Sequence, residues 1–314
     1  MGQLISYEHG IHAFDAGYVR PLLASVHLVV ENGRAAFVDT GTNKSLPAAM
    51  AALDALGLDA DSVDYVILTH IHLDHAGGAG AMMRQFPRAR LVVHPRGARH
   101  MADPSRLVAG ANAVYGADEV SRLYGDVLPI DQTRIIEATH GLKVDLAGRE
   151  FLCLDTPGHA RHHNCIVDSR SGHIFTGDTF GLSYRELDTD GRQFIFPTST
   201  PSQFEPQALK ESIDLLMTYR PQAMYLTHFS QVKDVAAKAR DLHRLIDAYL
   251  DIARREKNAG PERQPRIRNG LAQLLIDETT RFGCRLPHAE ILEIFAMDLE
   301  LNAQGLVVWL DGQR

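Results

Sequence analysis

The chain has 314 residues, of which 45% are hydrophobic and 23% are charged, and its formal net charge at pH 7 is −7. This balance is typical of a soluble globular protein with one large domain, or one domain and an appendage. The negative charge argues against a nucleic-acid partner, since such proteins hold phosphates with clustered Lys and Arg. No apolar run approaches the roughly 18 residues of a membrane helix, and residues 1–20 lack a signal peptide's apolar core.

The chain has three cysteines, Cys153, Cys165 and Cys284. They are too few and too scattered for a disulfide framework or for a cysteine-based zinc site. The first two lie in strand-like runs, which is typical of small core residues. We therefore expect a cytoplasmic protein with reduced thiols and no membrane partner.

The first clear structural signal is a hairpin near the N-terminus. Residues 24–30 and 35–38 are strand-like runs joined by an Asn-Gly turn, the strongest short hairpin signal. The second run ends at Asp39, which is either a turn former or a partner for a ligand histidine. Apolar residues at helical spacing then predict a helix over residues 46–56.

The most informative stretch follows the apolar run at residues 63–68, which is typical of a buried strand. Three histidines and a carboxylate crowd the loop between this strand and the next predicted helix: His70, His72, Asp74 and His75. Imidazole nitrogens and carboxylate oxygens are the natural ligands of zinc and its neighbours. Histidines also cluster by chance, but four such groups leaving a buried strand would be costly to desolvate without a cation.

With the glycines that follow it, this stretch resembles the T-H-x-H-x-D-H signature of the metallo-β-lactamase-fold superfamily of metallohydrolases. Later motifs of the superfamily also match in order, each after a strand-like run. They are the T-P-G-H turn at Thr156–His159, the G-D turn at Gly177–Asp178, and the T-H pair at Thr227–His228. The resemblance covers roughly residues 24–235 and is closest to the glyoxalase II and lactonase branches.

The resemblance implies a centre with two divalent metal ions per chain, zinc being expected and iron or manganese being alternatives. One ion would be held by His70, His72 and His159, the other by Asp74, His75 and His228, with Asp178 bridging the two. The implied fold class is α/β, a four-layer αβ/βα sandwich with the metals at one edge between the sheets.

The activity that the resemblance implies is metal-dependent hydrolysis of a small-molecule substrate. A metal-bridging hydroxide would attack the carbonyl of an ester, a thioester or a lactone. Asp74 would also orient the hydroxide, and Tyr184 is the candidate proton donor for the leaving group. Lactonases that use a tyrosine have it nearer the bridging aspartate, where this chain has Gly181. That departure weakens the lactonase assignment.

Two other classes remain open. An iron persulfide dioxygenase has a similar scaffold but holds a single iron with two histidines and an aspartate. A metal-bound binding protein would have no activity. Neither class needs a second metal, so the complete set of ligands favours hydrolysis.

The rest of the chain predicts helices beside and beyond this domain. The segment at residues 94–129 predicts short helices that either shape a substrate pocket or cap the sheet edge. A polar stretch rich in breakers at residues 257–265 indicates a linker. We therefore predict a catalytic domain over residues 1–255 and a helical C-terminal extension over residues 256–314.

The C-terminal extension predicts two helices, over residues 267–280 and 289–301. It closes with an apolar run at residues 306–310 that contains the only tryptophan. Exposed runs of this kind promote association. We expect it to pack against the core or against a second subunit in a homodimer.

Overall fold

The computed structural model describes residues 3–313. Its larger sheet has seven strands in the order of the chain. These strands are β1 (Ile5–Ser6), β2 (Ile11–Asp15), β3 (Ser25–Glu31), β4 (Arg34–Val38), β5 (Val63–Ile67), β6 (Arg90–Val93) and β7 (Ile135–Glu137). The first four strands are antiparallel, and β4 to β7 are parallel.

The second sheet has six strands in the order β13-β12-β11-β10-β9-β8. They are β8 (Lys143–Leu146), β9 (Arg149–Asp155), β10 (Asn164–Asp168), β11 (Ile174–Gly177), β12 (Met224–Leu226) and β13 (Ser230–Val232). Strands β8 to β11 run antiparallel, whereas β12 lies parallel to β11. The predicted hairpins β3–β4, β8–β9 and β10–β11 are all present.

The two sheets share a core of side chains that are withdrawn from water. Val38 and Ile67 of the first sheet belong to the same buried cluster as Phe151, Ile166 and Phe175 of the second. Burial of such side chains stabilises each by about 1.5–3 kcal/mol over an exposed position. This packing fixes the ends of the strands, from which the loops of the site emerge.

The described residues contain eleven α-helices, and two of them share the stretch that was predicted as one helix over residues 289–301. The helices are α1 (Leu46–Ala55), α2 (Leu73–Ala76), α3 (Ala79–Gln85), α4 (Pro95–Ala102), α5 (Ser105–Tyr115), α6 (Ala117–Tyr124), α7 (Pro206–Thr218), α8 (Val235–Arg255), α9 (Arg263–Phe282), α10 (His288–Ile294) and α11 (Ala296–Asp311). Within the described residues no helix is both long enough and apolar enough to cross a bilayer.

The chain divides into two compact units. The first contains residues up to 155, 162–177 and 224–231, and therefore both sheets except the last residue of β13. The second contains residues 156–161, 178–223 and those from 232 onward. Neither unit begins or ends at residue 256, so the domain boundary predicted there stays a prediction.

The α/β class with two sheets and a helical C-terminal region is confirmed. The short helices predicted for residues 94–129 are present as α4, α5 and α6. Helix α9 begins at Arg263, inside the stretch predicted to be a linker. The apolar run at residues 306–310 belongs to α11, where Leu306 and Leu310 are buried and Val308 is exposed.

Candidate metal centre

The loop after β5 and the short helix that follows it carry four of the five predicted ligands of the first unit. His70 and His72 lie between the end of β5 and the start of α2, and Asp74 and His75 lie in α2 itself. A close approach of backbone explains the glycine at the end of this motif. A Cβ on Gly78 would lie 2.7 Å from the carbonyl oxygen of Thr42, so a larger residue would push the helix away from its support.

His70 and His72 present ring nitrogens to the same point. The Nε2 atom of His70 and the Nδ1 atom of His72 are 2.9 Å apart. His70 is fully buried, and its ring centroid lies 4.0 Å from that of His75. The first unit thus holds three of its predicted ligand histidines in one cluster.

Asp74, His75 and His228 form the second group of the first unit. One ligand atom from each of the three residues lies within 4.8 Å of the others. An oxygen of Asp74 is 3.6 Å from Nε2 of His75 and 3.4 Å from Nε2 of His228. These residues come from α2 and from the turn after β12, so the fold of the unit joins distant parts of the chain.

A hydrogen bond on the far side of the His228 ring determines which of its two nitrogens faces this group. Nδ1 of His228 lies 2.7 Å from the carbonyl oxygen of Leu23, which can only accept a hydrogen bond. Nδ1 of His228 therefore carries the proton, and in the neutral ring Nε2 presents a lone pair toward Asp74. A lone pair facing a carboxylate is a pairing that a divalent cation satisfies, so the donor set fits a metal ion.

Asp39 supports the ligands from behind. Its Oδ2 atom lies 2.9 Å from Nδ1 of His75, and its carboxylate accepts hydrogen bonds from the Thr69 backbone and side chain and from the Thr227 hydroxyl. Asp39 is buried and has a φ of 58°, in the left-handed region that aspartate tolerates better than most residues. Of the two roles open from the sequence, the geometry favours the partner of a ligand histidine.

Two further histidines pack around His70. The rings of His162 and His163 stack on it with centroids 6.2 and 4.8 Å away. Burial and the neighbouring His72 lower the pKa of His162 to about 3, so that ring is neutral at pH 7. A Cβ on Gly177 would lie 2.6 Å from Nε2 of His163, which explains the glycine before Asp178.

The second unit brings His159 and Asp178 together. Nε2 of His159 is 3.5 Å from Oδ2 of Asp178. The turn that carries His159 is packed tightly, because a Cβ on Gly158, at φ 131°, would lie 2.2 Å from the backbone nitrogen of Leu209. The Glu205 backbone N–H also donates to the Gly158 carbonyl over 2.7 Å. The turn that carries His159 is therefore held in place within its unit.

Tyr184 lies in the second unit with its ring fully buried. Its hydroxyl donates to Asp298 of α11 and is 3.0 Å from both carboxylate oxygens. Its predicted role as the leaving-group proton donor stays a prediction.

The sequence carries a signal for the supporting role of Asp39. A threonine precedes a predicted ligand histidine twice, at Thr69 and Thr227, and both hydroxyls donate to Asp39. The repeated Thr-His pair therefore marks the residues that hold this carboxylate. The Leu23 carbonyl had no comparable signal, because any residue supplies a backbone oxygen.

Comparisons with known proteins agree with this geometry. The family model of the metallo-beta-lactamase superfamily matches residues 19–228 of the chain. A metallo-beta-lactamase fold-containing protein of Sulfurisphaera tokodaii is 28% identical over 225 residues, 70% of this chain and 78% of that protein. The chain belongs to the metallo-beta-lactamase superfamily.

Other relatives are more distant or cover less. A hydroxyacylglutathione hydrolase of Xanthomonas campestris is 30% identical over 167 residues, 53% of this chain and 48% of the relative. The chain thus spans about half the length of that enzyme. The solved structure of a metallo-beta-lactamase family protein of Thermus thermophilus has a TM-score of 0.67 at 19% identity, covering 97% of this chain and 94% of the other. That likeness shows the fold alone.

Proposed function

We propose that the protein is a hydrolase that uses two divalent metal ions to cleave a carbonyl substrate, an ester, a thioester or a lactone. His70, His72 and His159 would hold one ion, Asp74, His75 and His228 the other, and Asp178 would contact both. Zinc is the expected metal, because the donors are mainly imidazole nitrogens.

The arrangement of Asp74, His75 and His228 carries this proposal. These residues form a complete second set of donors beside His70 and His72. A single-metal dioxygenase has no use for such a set, and a binding protein has no need of one. We therefore favour hydrolysis over both the dioxygenase and the binding protein.

When bound, the two ions would supply a water molecule made acidic enough to act as a nucleophile near pH 7, and a Lewis acid for the carbonyl oxygen. The chain's own residues would prepare this site. Asp39 holds the ring of His75, and the Leu23 carbonyl holds that of His228. Asp74, whose side chain is 20% exposed, would accept a hydrogen bond from the attacking water and orient it.

The relatives support the substrate class in outline. One of them is named a hydroxyacylglutathione hydrolase and another an atrochrysone carboxyl ACP thioesterase. Both names describe the cleavage of an acyl group from its carrier. For this protein we propose only that the substrate is an acyl compound that is attacked at its carbonyl carbon.

Metal analysis with a substrate panel tests the proposal. We expect two ions per chain in the wild type and hydrolysis of at least one ester, thioester or lactone. His228→Ala should bind close to one ion, whereas Asp178→Asn should weaken both sites, because it removes charge from the proposed shared ligand. His243→Ala, which changes a histidine on α8 paired with Asp214, is the matched control and should keep two ions.

The alternatives make different predictions. One iron per chain, with oxygen uptake on a persulfide and no hydrolysis, would favour the dioxygenase. Unchanged affinity for both ions in Asp178→Asn would refute the bridging role of that residue.

A further inference from the structure

A pair of buried tyrosines in the first unit has no part in the metal set. The hydroxyl oxygens of Tyr18 and Tyr124 are 2.8 Å apart, and the two rings stack with centroids separated by 5.8 Å. Tyr18 is 5% exposed and Tyr124 is 2% exposed. Burial this deep places two polar groups where water does not satisfy them.

The pair has one O–H group, here called the reserve O–H, that the hydrogen bond between the two tyrosines does not use. Each neutral phenol has one O–H, and the hydrogen bond between them uses only one of the two. Within residues 3–313 neither hydroxyl has another hydrogen-bond partner. One O–H is therefore left for an acceptor that the described chain does not supply. A buried donor of this kind is costly unless a ligand accepts from it.

The backbone loop that contains Tyr18 also contacts His228, a proposed metal ligand. Tyr18 belongs to the loop between β2 and β3, whose ends are joined by the Ala16 N–H and the Ala24 carbonyl over 2.8 Å. The Asp15 carboxylate accepts from the Gly17 and Leu22 N–H groups within this loop. The same loop supplies the Leu23 carbonyl that holds His228.

Tyr124 is tied to the site from a second direction. It ends α6, and side chains of the loop after β4 hold the end of that helix. Lys44 donates to the Arg122 carbonyl over 2.9 Å and Asn43 to the Asp126 carbonyl over 2.5 Å. The start of the same loop also contacts α2, because the Thr40 N–H donates to the His75 carbonyl over 2.7 Å.

The Asp74 carboxylate also acts on the two hydroxyls. Burial, and then the Asp74 carboxylate, raise the pKa of Tyr18 and of Tyr124 far above the usual range. The same two causes raise the pKa of Tyr115, on α5, to about 12. The hydroxyls are therefore neutral donors throughout the working pH range and add no negative charge next to Asp74.

We propose that the Tyr18–Tyr124 pair donates its reserve O–H to the carbonyl oxygen of the bound substrate, on the Asp74 side of the site. This inference rests on the proposed function, and it assigns the recognition of the acyl group to residues outside the superfamily motifs. The carbonyl oxygen is the acceptor common to esters, thioesters and lactones. It gains negative charge during attack, so the hydrogen bond strengthens in the transition state.

Tyr18→Phe and Tyr124→Phe test the proposal, because each keeps the stacked ring and removes one hydroxyl. We expect both to keep two ions. The variant that loses the hydroxyl facing the substrate should lower kcat about 10- to 100-fold on an ester and its matched thioester, with KM nearly unchanged, and the variant that loses only the supporting hydroxyl should lower it less. Tyr219→Phe, at an exposed tyrosine after α7, makes the same chemical change and should match the wild type. A loss confined to the ester would place the contact on the leaving-group oxygen and overturn the assignment, as would unchanged kcat.

A binding measurement keeps the test independent of turnover. Phenylphosphonate presents a tetrahedral anion like the one formed by attack on a carbonyl, and its Kd is measured by calorimetry on the metal-loaded protein. We expect Kd to rise about tenfold in the variant that loses the hydroxyl facing the substrate, less in the other Phe variant, and not in Tyr219→Phe. If the wild type hydrolyses nothing, the proposed function fails, but this Kd comparison still decides the role of the pair. Equal Kd values in all four proteins would refute it.

Discussion

At the scale of single residues, Asp39 supports the second donor set through the ring of His75. It contacts the ring of His75 and receives three hydrogen bonds from Thr69 and Thr227. We expect Asp39→Asn to weaken metal binding about 10- to 100-fold, because an amide cannot accept all of these bonds or support the same histidine tautomer. Competition with a chelator of known affinity measures the change.

The control for Asp39→Asn removes the same charge elsewhere. Asp64→Asn breaks an ion pair with Arg34 in which both side chains are more than a quarter exposed. Such pairs contribute only about 0–1 kcal/mol. Metal affinity should stay at the wild-type value in Asp64→Asn, and an equal loss in both variants would point to net charge instead of to the contacts of Asp39.

Tyr184 offers a second test at this scale. Its hydroxyl donates to the buried carboxylate of Asp298, so Tyr184→Phe should lower the free energy of unfolding by about 1–3 kcal/mol. Denaturant titration measures this loss, and kcat at constant metal content measures the catalytic role. If Tyr184 is the leaving-group donor, kcat falls most for substrates with poor leaving groups. A uniform kcat across a leaving-group series would remove it from the catalytic residues.

At the scale of elements, the sequence predicted best where pattern and turn chemistry agree. The Asn-Gly hairpin β3–β4, the strand β5 and the short helices after β6 were all predicted. Strands β1 and β2 were not, because their residues lack clear alternation and are ordered by pairing, β1 with β2 and β2 with β3. Tertiary contacts of this kind leave no local signal.

The site followed the same division. Motifs located the predicted ligands, and the structure gathers those of each unit into its own cluster. The Leu23 carbonyl and the Tyr18–Tyr124 pair could not be predicted, since their positions depend on how loops far apart in the chain pack together.

The packing of α11 gives a prediction for one helix. A Cβ on Gly305 would lie 1.5 Å from the Ser199 carbonyl oxygen, and Asn302 of the same helix accepts from the Ser199 N–H over 2.6 Å. We expect Gly305→Ala to destabilise the protein by about 1–3 kcal/mol, because the helix must move away from this segment. Thermal unfolding measures the effect.

Gly110 in α5 is the matched control for Gly305→Ala. A Cβ there would meet nothing within 4 Å, and its φ is not in the left-handed region. Gly110→Ala should therefore stabilise the protein by about 0.4–1 kcal/mol through helix propensity and a less flexible unfolded chain. The opposite signs of the two substitutions are the expected result, and destabilisation by both would mean that the contact with Ser199 is not the cause.

At the scale of the whole molecule, a buried histidine links stability to pH. His27 lies on β3 with its ring against Phe175 and Tyr225 of the other sheet, and burial lowers its pKa to about 4. The unfolded chain binds a proton near pH 6.5 and the folded chain only near pH 4, so stability is complete above 6.5 and falls as the pH drops toward 4. The loss amounts to about 3 kcal/mol.

Comparison with His27→Gln isolates this effect. Glutamine does not titrate and can still bond to Ser230, which lies 3.2 Å from Nε2 of His27. We expect the unfolding free energy of the metal-free wild type to fall about 3 kcal/mol more than that of the variant between pH 7 and pH 4. Parallel curves would show that His27 is not the titrating group.

The position of Asp39 has a consequence for how ions enter. The carboxylate follows β4 of one sheet and accepts from Thr69, after β5, and from Thr227, after β12 of the other. These hydrogen bonds hold the donors of the first unit from the protein side, so binding an ion should cost them little conformational entropy. The speed of ion uptake there is then governed by the stripping of water from the incoming cation and not by a rearrangement of the chain.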